Sequence, residues 1–337
     1  MLDKFPNIFI LNNNFPENDH IRSVQITKII DNFLDPILTI AIPTYKRPEL
    51  LKIALESAIN QNYSEYFEII VVDNNPLRGC PTEELMKNYE NSNVFYFKNE
   101  QNLGMVGNWN RCIQLSRGKY ITILNDDDWL EPNYIEYSLS KIQDECALFF
   151  KNVIHDFRIN EIKKISFFRS FLKSIIKLFS LKQHNVSIYD FFMGHMAAGT
   201  LGVLYKRENL IKLGGFNDSF YPVHDYVCNL NYKINFGCKY FKKHLSNYRI
   251  SNNESLNVGA EFAKLNYEIR LQISQKYYNN SYLIRYFTKL LFEINYLDGI
   301  KFWNLNLNLL QYDNCVKKIF RLIIKQYMIL RNLILYV

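Results

Sequence analysis

Apolar residues between positions 37 and 128 fall into short continuous runs, which alternate with segments of helical spacing. In the first helical segment, Leu50, Ile53, Ala54 and Ala58 recur on one helical face, and Pro48 suits its first turn. The continuous runs predict strands at 37–43, 67–75, 93–99 and 118–128, and the spaced segments predict helices at 49–61, 83–90 and 105–117. This alternation predicts an α/β fold with a Rossmann-like, mostly parallel sheet flanked by helices.

Polar side chains follow three of the predicted strands at the point where each strand ends. Thr44 and Tyr45 follow the first strand, Asp73 ends the second, and an acidic triplet begins at Asp126 after a later one. Ligands of open parallel sheets bind at the carboxyl ends of the strands. We therefore expect these clusters to converge on one ligand site.

The acidic triplet, Asp126, Asp127 and Asp128, is a candidate metal site. Adjacent carboxylates repel one another unless a positive group lies nearby, and Mg²⁺ or Mn²⁺ commonly bridges carboxylates and phosphates. A solvated acidic turn is the alternative, which the position of the triplet after an apolar strand disfavours. Asp73 suits acceptance of the imide N–H of uracil, with a cap or turn residue as the alternative.

Composition and charge narrow the class of protein. The chain has 337 residues, with 48% hydrophobic and 22% charged residues and a net charge of +7, which indicates a soluble globular protein without the basic signature of a nucleic-acid binder. Its six Cys are scattered without a C-x-x-C pair, which argues against a zinc site or a disulfide framework. The sequence shows neither a signal-peptide layout nor 18 consecutive apolar residues, so we expect a cytoplasmic protein without a spanning helix.

Two basic segments, 160–184 and 316–337, resemble membrane-surface helices. The first has six Lys or Arg against one Glu, and the second has five Lys or Arg and no acid. Apolar residues of the first segment share one helical face: Phe168, Phe171, Leu172, Ile175, Ile176 and Phe179. We expect peripheral contact with an anionic membrane. In the alternative, the apolar faces pack on the core and the Lys residues face solvent.

Six motifs in order resemble family 2 glycosyltransferases with the GT-A fold, of the type that builds bacterial polysaccharides. They are PTYKRPELL (43–51), IIVVDNN (69–75), NLGMVGNWN (102–110), GKYITILNDDDW (118–129), LGGFN (213–217) and HD (224–225). The resemblance covers roughly residues 37–255. It implies a nucleotide-sugar donor, by family habit a UDP-sugar, a divalent metal (Mn²⁺ or Mg²⁺) and inversion at the anomeric carbon.

The resemblance also implies roles for individual residues. Asp127 matches the main metal ligand, with Asp128 following in the same motif, and Asp225 matches the general base. Asp126 matches the position near ribose, and Asp73 the residue that contacts uracil. The implied donor-binding set is Pro43, Thr44, Tyr45, Arg47, Asp73, Asn102, Gly104, Asn110 and Asp126. The candidate acceptor contacts are His195, Trp129 and His224.

Three positions depart from the family pattern. Trp109 stands where relatives often have an Arg that could touch phosphate, which leaves Arg111, Lys46 or Arg47 to supply that charge. His224 replaces the Glu that usually precedes the general base, and Ser251 replaces a His. The departures at Trp109 and Ser251 keep open a non-catalytic relative that binds nucleotide-sugar. A nucleotidyltransferase is a further alternative, disfavoured because PTYKRP is not glycine-rich.

The sequence therefore predicts a hexosyltransferase-type enzyme, an inverting and metal-dependent glycosyltransferase of surface polysaccharide synthesis, such as capsule or lipopolysaccharide. The acceptor would be a hydroxyl of a glycan or lipid-linked acceptor, and the location the inner face of the cell membrane. The predicted divisions are an extension (1–36), a donor-binding half (37–150), an acceptor-binding half with the basic insertion (151–260) and a helical, basic C-terminal extension (261–337).

Overall fold

The computed structural model describes ten strands and the helices that cover them. The described residues are 5–27, 35–89, 93–158, 182–194, 199–251, 258–279, 281–303 and 315–336. The strands are β1 (Ser23–Gln25), β2 (Leu38–Thr44), β3 (Glu68–Asp73), β4 (Val94–Asn99), β5 (Tyr120–Ile123), β6 (Trp129–Leu130), β7 (Ala147–Asp156), β8 (Gln183–Asn185), β9 (Tyr205–Lys206) and β10 (Cys238–Ile250).

Helices lie between and after these strands. The α-helices are α1 (Pro48–Ile59), α2 (Pro81–Met86), α3 (Gly104–Leu115), α4 (Tyr134–Leu139), α5 (Ile188–Met193), α6 (Arg207–Lys212), α7 (His224–Phe236), α8 (Gly259–Tyr277), α9 (Tyr282–Trp303) and α10 (Cys315–Tyr336). Short 3-10 helices are Phe15–Asn18, Lys87–Tyr89 and Asp218–Phe220. Proline at the first turn starts α1 and α2, where a missing N–H costs nothing.

The larger sheet has six strands in the order β1-β4-β3-β2-β5-β9. The four inner strands, β2 to β5, are parallel, and the edge strands β1 and β9 are antiparallel to their neighbours. All residues of β2, β3 and β5 are buried, which explains why these strands are continuous apolar runs in the sequence. The predicted α/β fold with a helix-flanked sheet is confirmed.

The smaller sheet joins the two halves of the domain. Its order is β6-β10-β7, and β8 pairs with β10. The short strand β6 directly follows the acidic triplet, so the triplet lies where the chain passes from the first sheet to the second. The predicted boundary at residue 150 falls inside β7. Strand β9 of the second half pairs with β5 of the first half, and β10 of the second half pairs with β6 of the first, so each sheet contains strands from both halves.

The N-terminal extension packs against the helices behind the sheet. Arg111 of α3 donates hydrogen bonds to the Ser23 hydroxyl (2.8 Å) and to the carbonyls of Asn18 (2.8 Å) and Ile21 (2.9 Å). The Asn14 amide donates to the Gly214 carbonyl at 2.9 Å. Arg111 is thus committed to holding the extension, which removes it from the candidates for a phosphate contact.

The C-terminal region is helical, as predicted. Helix α8 packs against α9 and α5, and α10 packs against α9. Two arginines of α10 face inward, where Arg321 pairs with Glu293 at 3.2 Å and Arg331 pairs with Asp190. Within the described part of the chain, no helix combines the length and the apolar character that crossing a membrane requires. Most of the basic segment 160–184 lies outside the described residues.

Candidate active site

A cleft of about 600 Å³ opens at the carboxyl ends of the parallel strands. It is bounded by the loops after β2, β3 and β5, by the start of α7 and by α8. The predicted site residues in its wall are Pro43, Thr44, Tyr45, Arg47, Asn102, Gly104, Asp126, Asp127, His224 and Asp225. Positions that are up to 182 residues apart in the sequence therefore converge, as the strand-end argument predicts.

Two carboxylates of the triplet face the cleft beside one guanidinium. Asp126 accepts a hydrogen bond from the Thr44 hydroxyl at 2.8 Å, and Arg47 Nη1 lies 3.3 Å from Asp126 and 3.4 Å from Asp127. Burial raises the pKa of Asp126 to about 6, against the opposing effect of the Arg47 charge. Burial also raises the pKa of Asp127. A bound cation would favour the ionised form of both groups.

Asp128 occupies a different environment from its two neighbours. Its carboxylate is fully buried and accepts hydrogen bonds from the Arg249 backbone N–H (2.9 Å) and the Asn125 amide (3.0 Å). Burial, reinforced by the charge of Asp127, holds the pKa of Asp128 well above its ordinary value. Asp128 fastens the triplet to β10 and is not part of the cleft wall, so this geometry does not support the metal-ligand role predicted for it.

The residues present fit a metal ion that is shared with a bound diphosphate. Among the described residues, no group of three or more His, Cys, Asp or Glu side chains is placed to hold a metal by itself. Mg²⁺ sites in nucleotide-using enzymes typically combine one or two carboxylates with substrate phosphates and water. Asp127, with Asp126 beside it, supplies carboxylate oxygens of that kind in the cleft wall.

Asp73 lies beneath the cleft and not in its wall. Its carboxylate is fully buried and accepts hydrogen bonds from Lys98 Nζ and the Tyr96 hydroxyl, both at 2.8 Å. The next residue, Asn74, reaches the wall and bonds Asn102 Oδ1 (2.7 Å). The predicted contact between Asp73 and uracil therefore has no support in this geometry. Sequence reasoning missed Asn74, although it also follows β3.

Asn110 also lies outside the cleft wall. Its amide bonds both backbone groups of Phe216, donating to the carbonyl at 2.8 Å and accepting from the N–H at 2.7 Å. A Cβ at Gly215 (φ +74°) would lie 2.4 Å from Asn110 Oδ1, so the close approach requires glycine. Asn110 therefore does not reach the donor directly in this geometry, and instead fixes the turn that leads to α7.

Asp225 is the second residue of α7 and faces the cleft. Its Oδ1 accepts a hydrogen bond from the Tyr226 backbone N–H at 2.7 Å. Gly199 (φ +64°) passes close to the other oxygen, because a Cβ there would lie 2.8 Å from Oδ2. Burial raises the pKa of Asp225 to about 6, an effect that the backbone hydrogen bonds only partly offset.

The three candidate acceptor residues have different positions. His224 is buried in the cleft wall. Trp129 lies in β6, outside the wall, where its ring is 4.8 Å from that of His155 and 5.3 Å from the Arg249 guanidinium. Both partners belong to the same smaller sheet as Trp129, so that position favours packing on this sheet over contact with an acceptor. His195 lies outside the described residues.

Comparison with known proteins identifies the family. The profile of glycosyl transferase family 2 matches residues 39–205, which include β2 to β5 and the triplet. This region, about half of the chain, belongs to glycosyl transferase family 2. The matched range contains the Asp126 and Asp127 wall of the cleft, and Asp225 lies beyond it.

Relatives cover this chain to different extents. An uncharacterized glycosyltransferase of Methanocaldococcus jannaschii is 36% identical over 104 residues, 30% of this chain and 35% of that protein. The GalNAc(5)-diNAcBac-PP-undecaprenol beta-1,3-glucosyltransferase of Campylobacter jejuni is 28% identical over 229 residues, 67% of this chain and 68% of that protein. The chain thus spans about a third of the first relative and about two thirds of the second.

Solved structures share the fold of this chain. Staphylococcus aureus TarS residues 1–349, in complex with UDP-GlcNAc, matches with a TM-score of 0.55 and 14% identity, covering 88% of this chain and 81% of that TarS fragment. The mannosyltransferase PcManGT of Pyrobaculum calidifontis, in complex with GDP-Man and Mn²⁺, matches with a TM-score of 0.52 and 12% identity, covering 88% and 86%. These likenesses confirm the predicted GT-A fold.

The raised pKa of Asp225 predicts that Asp225→Asn stabilises the protein above pH 6. A native pKa of about 6 against an ordinary value of 3.8 means that the stability this group contributes is present below pH 3.8 and is lost as pH rises through 6. At 1.36 kcal/mol per unit, the gain in free energy of unfolding reaches about 3 kcal/mol. Urea unfolding at pH 5 and pH 8 measures it.

The control is Asp218→Asn, which changes an exposed aspartate of the same cleft wall. We expect its effect on unfolding to be small and equal at the two pH values. If the gain in free energy of unfolding of Asp225→Asn over the wild type does not increase between pH 5 and pH 8, the assignment of a desolvated carboxyl at this position is contradicted.

Proposed function

We propose that this chain is an inverting, metal-dependent glycosyltransferase that moves a sugar from a UDP-sugar to a hydroxyl of a glycan or lipid-linked acceptor. One observation carries the proposal: a single cleft contains the Asp126 and Asp127 pair and also the separate carboxylate of Asp225. The pair suits a metal-bound diphosphate, and the separate carboxylate suits proton removal from an acceptor.

The donor would lie along the loop after β2. Pro43, Thr44 and Tyr45 form this part of the wall, with the Tyr45 ring exposed to a bound base. Arg47 Nη1 lies within 3.4 Å of both carboxylates of the acidic pair and is our candidate for the missing phosphate contact. TarS in complex with UDP-GlcNAc and PcManGT in complex with GDP-Man and Mn²⁺ support a nucleotide-sugar and a metal in a cleft of this fold.

The chemistry assigned to the chain's own residues is proton transfer and orientation. A bound Mn²⁺ or Mg²⁺ would neutralise charge on the departing diphosphate. Asp225 accepts the proton of the acceptor hydroxyl, and its pKa of about 6 leaves it ionised but basic at neutral pH. Because the acceptor approaches from the Asp225 wall and the diphosphate leaves toward the Asp127 wall, the anomeric configuration inverts.

The acceptor class follows from relatives and from the surface of α10. The name of the Campylobacter jejuni relative describes a lipid-linked glycan acceptor, and a further relative is the chondroitin synthase of Escherichia coli, 29% identical over 134 residues. They support a role in surface polysaccharide synthesis, such as capsule or lipopolysaccharide. A lipid-linked acceptor would bring the enzyme to the inner face of the cell membrane.

Helix α10 presents an apolar face away from the rest of the described structure. Arg321 and Arg331 point inward to Glu293 and Asp190. Large apolar side chains point outward, each exposed by 44% or more: Ile319, Phe320, Leu322, Ile323, Tyr327, Ile329 and Leu330. Residues 316–337 have five basic and no acidic residues. We propose that this face docks on an anionic membrane surface.

Two other functions fit the observations less well. A non-catalytic nucleotide-sugar-binding relative is suggested by Trp109 and Ser251, but both Asp127 and Asp225 are present and line the cleft. A nucleotidyltransferase would need a glycine-rich, basic loop after the first strand. The loop after β2 has two basic residues but no glycine.

We predict that a nucleotide-sugar raises the melting temperature only with Mn²⁺ or Mg²⁺ present, and that this effect separates two variants. Asp127→Asn should abolish the metal-dependent shift, because it removes a charged ligand. Asp225→Asn should keep the shift but lose sugar transfer by about a hundredfold or more, because general-base catalysis contributes that much. A panel of UDP- and GDP-sugars with thermal melts and donor turnover provides both readouts.

Asp35→Asn, at an exposed aspartate that is absent from the cleft wall, is the control, and we expect it to keep both the shift and turnover. Failure of every donor in the panel with either metal would overturn the enzyme proposal. Metal-dependent donor binding by Asp127→Asn equal to that of the wild type would overturn the metal assignment alone.

The membrane proposal predicts that Ile323→Glu with Leu330→Glu reduces co-sedimentation with phosphatidylglycerol vesicles by more than about tenfold, because two exposed apolar side chains leave the lipid contact. Both positions are at least half exposed, so melting temperature should stay unchanged. Ile211→Glu, at an exposed apolar position on α6, is the control and should bind as the wild type does. Equal binding by the double variant would exclude this face.

A further inference from the structure

Two positions that depart from the family pattern, Trp109 and His224, contact each other in the fold. Their ring centroids are 4.9 Å apart at an interplanar angle of 61°, an edge-to-face arrangement. The two residues come from different helices, α3 and α7, and are 115 positions apart in the sequence. Both line the cleft, next to Asp225.

Aromatic rings enclose the His224 imidazole on further sides. The Tyr221 ring stacks on it with centroids 5.9 Å apart and an interplanar angle of 10°, and the Phe216 ring lies at 6.2 Å. His224 is only 3% exposed, and burial lowers its pKa to about 3, so the ring is neutral. The cleft therefore has an uncharged aromatic wall beside its base.

The ring nitrogens of His224 are buried polar groups in this wall. Neither nitrogen has a hydrogen-bond partner among the residues that the structure describes. A buried polar group without a partner is destabilising, so such a group in a cleft wall points to a ligand that completes its bonding. Behind the ring lies a second cavity of about 20 Å³, enough for one water molecule, which could satisfy one nitrogen.

The contact between the two rings makes the two positions dependent on each other. An Arg at position 109 and a Glu at position 224 would be adjacent groups of opposite charge. Either change alone would leave a charge buried without its partner, which is strongly destabilising. Replacing both produces a neutral pair at the same place.

We propose that Trp109 and His224 form a sugar-binding wall that selects an uncharged sugar ring, an inference that rests on the proposed function. His224 bonds a hydroxyl of the sugar, and Trp109 packs against its C–H groups. Among the described residues of the cleft wall, Arg47 is the one Lys or Arg, and it lies against Asp126 and Asp127. A sugar carboxylate beside Asp225 would therefore meet negative charge without a second Lys or Arg in the described wall, so the wall disfavours uronic acids.

The first test measures coupling between the two positions and needs no substrate. The wild type, Trp109→Arg, His224→Glu and the double variant are compared by thermal melting without ligand. We expect each single variant to melt at a lower temperature and the double variant to recover most of the loss, because the two new charges pair. If the decreases in melting temperature of the two single variants simply add in the double variant, the two positions are not coupled and the inference that they act as one pair is overturned.

The second test measures the hydrogen bond to sugar. His224→Leu should raise the KM about tenfold with little change in kcat, the effect of one lost hydrogen bond in a binding site. His224→Gln should show a smaller rise in KM, because its amide can replace the hydrogen bond of the imidazole. If the KM for the donor changes in donor hydrolysis without acceptor, the hydrogen bond is made to the donor sugar. If only the KM for the acceptor changes, the bond is made to the acceptor. An unchanged KM for both would overturn the role of His224.

The third test compares a neutral UDP-hexose with its uronic acid counterpart, for example UDP-glucose with UDP-glucuronate. The wild type should discriminate against the acid, and Trp109→Arg should reduce that discrimination by supplying a cation. Equal use of both donors by the wild type would contradict the proposed selectivity. If no donor is turned over at all, the proposed function fails, whereas the melting cycle still decides whether the two rings act as one unit.

Discussion

The structure depends on how three adjacent carboxylates are accommodated where one sheet passes into another. Asp128 turns inward and accepts the backbone N–H of Arg249, which ties the end of β5 to β10. Asp126 and Asp127 line the cleft, where Arg47 Nη1 lies within 3.4 Å of both carboxylates. Burial opposes ionisation of all three groups, so the arrangement is favourable when positive charge enters the cleft. A metal ion shared with a diphosphate supplies that charge in the proposed function.

The part of the cleft wall that contains Asp225 is held in place by residues that do not themselves line the cleft. Asn110 bonds both backbone groups of Phe216, and Gly215 allows that close approach, so the turn before α7 is fixed relative to α3. Asp225 follows at the start of α7, with its carboxylate against Gly199. These contacts thus hold the proposed base at a fixed position in the cleft wall, as the proposed reaction requires.

The sequence predicts the sheet and the convergence of strand ends, because both follow from local periodicity and general topology. It fails where the position of a side chain depends on distant partners. Sequence reasoning favours Asp73 over Asn74, because a carboxylate is the more reactive group. In the structure, Asp73 is buried and bonded to Lys98 and Tyr96, and Asn74 lies in the cleft wall instead. The contact between Trp109 and His224 joins two separate helices, which no spacing rule anticipates. In α10 the amphipathic pattern was visible, but the inward direction of its arginines depends on Glu293 and Asp190.

The central claim is that acceptor and diphosphate occupy opposite walls, with Asp225 as the base. The stereochemistry of the product tests it most directly. Proton NMR of the glycoside formed from an α-linked UDP-sugar gives the anomeric configuration through the coupling constant of the anomeric proton. The account predicts a β-linked product, because attack from the Asp225 wall inverts the centre. An α-linked product as the first product formed would contradict it.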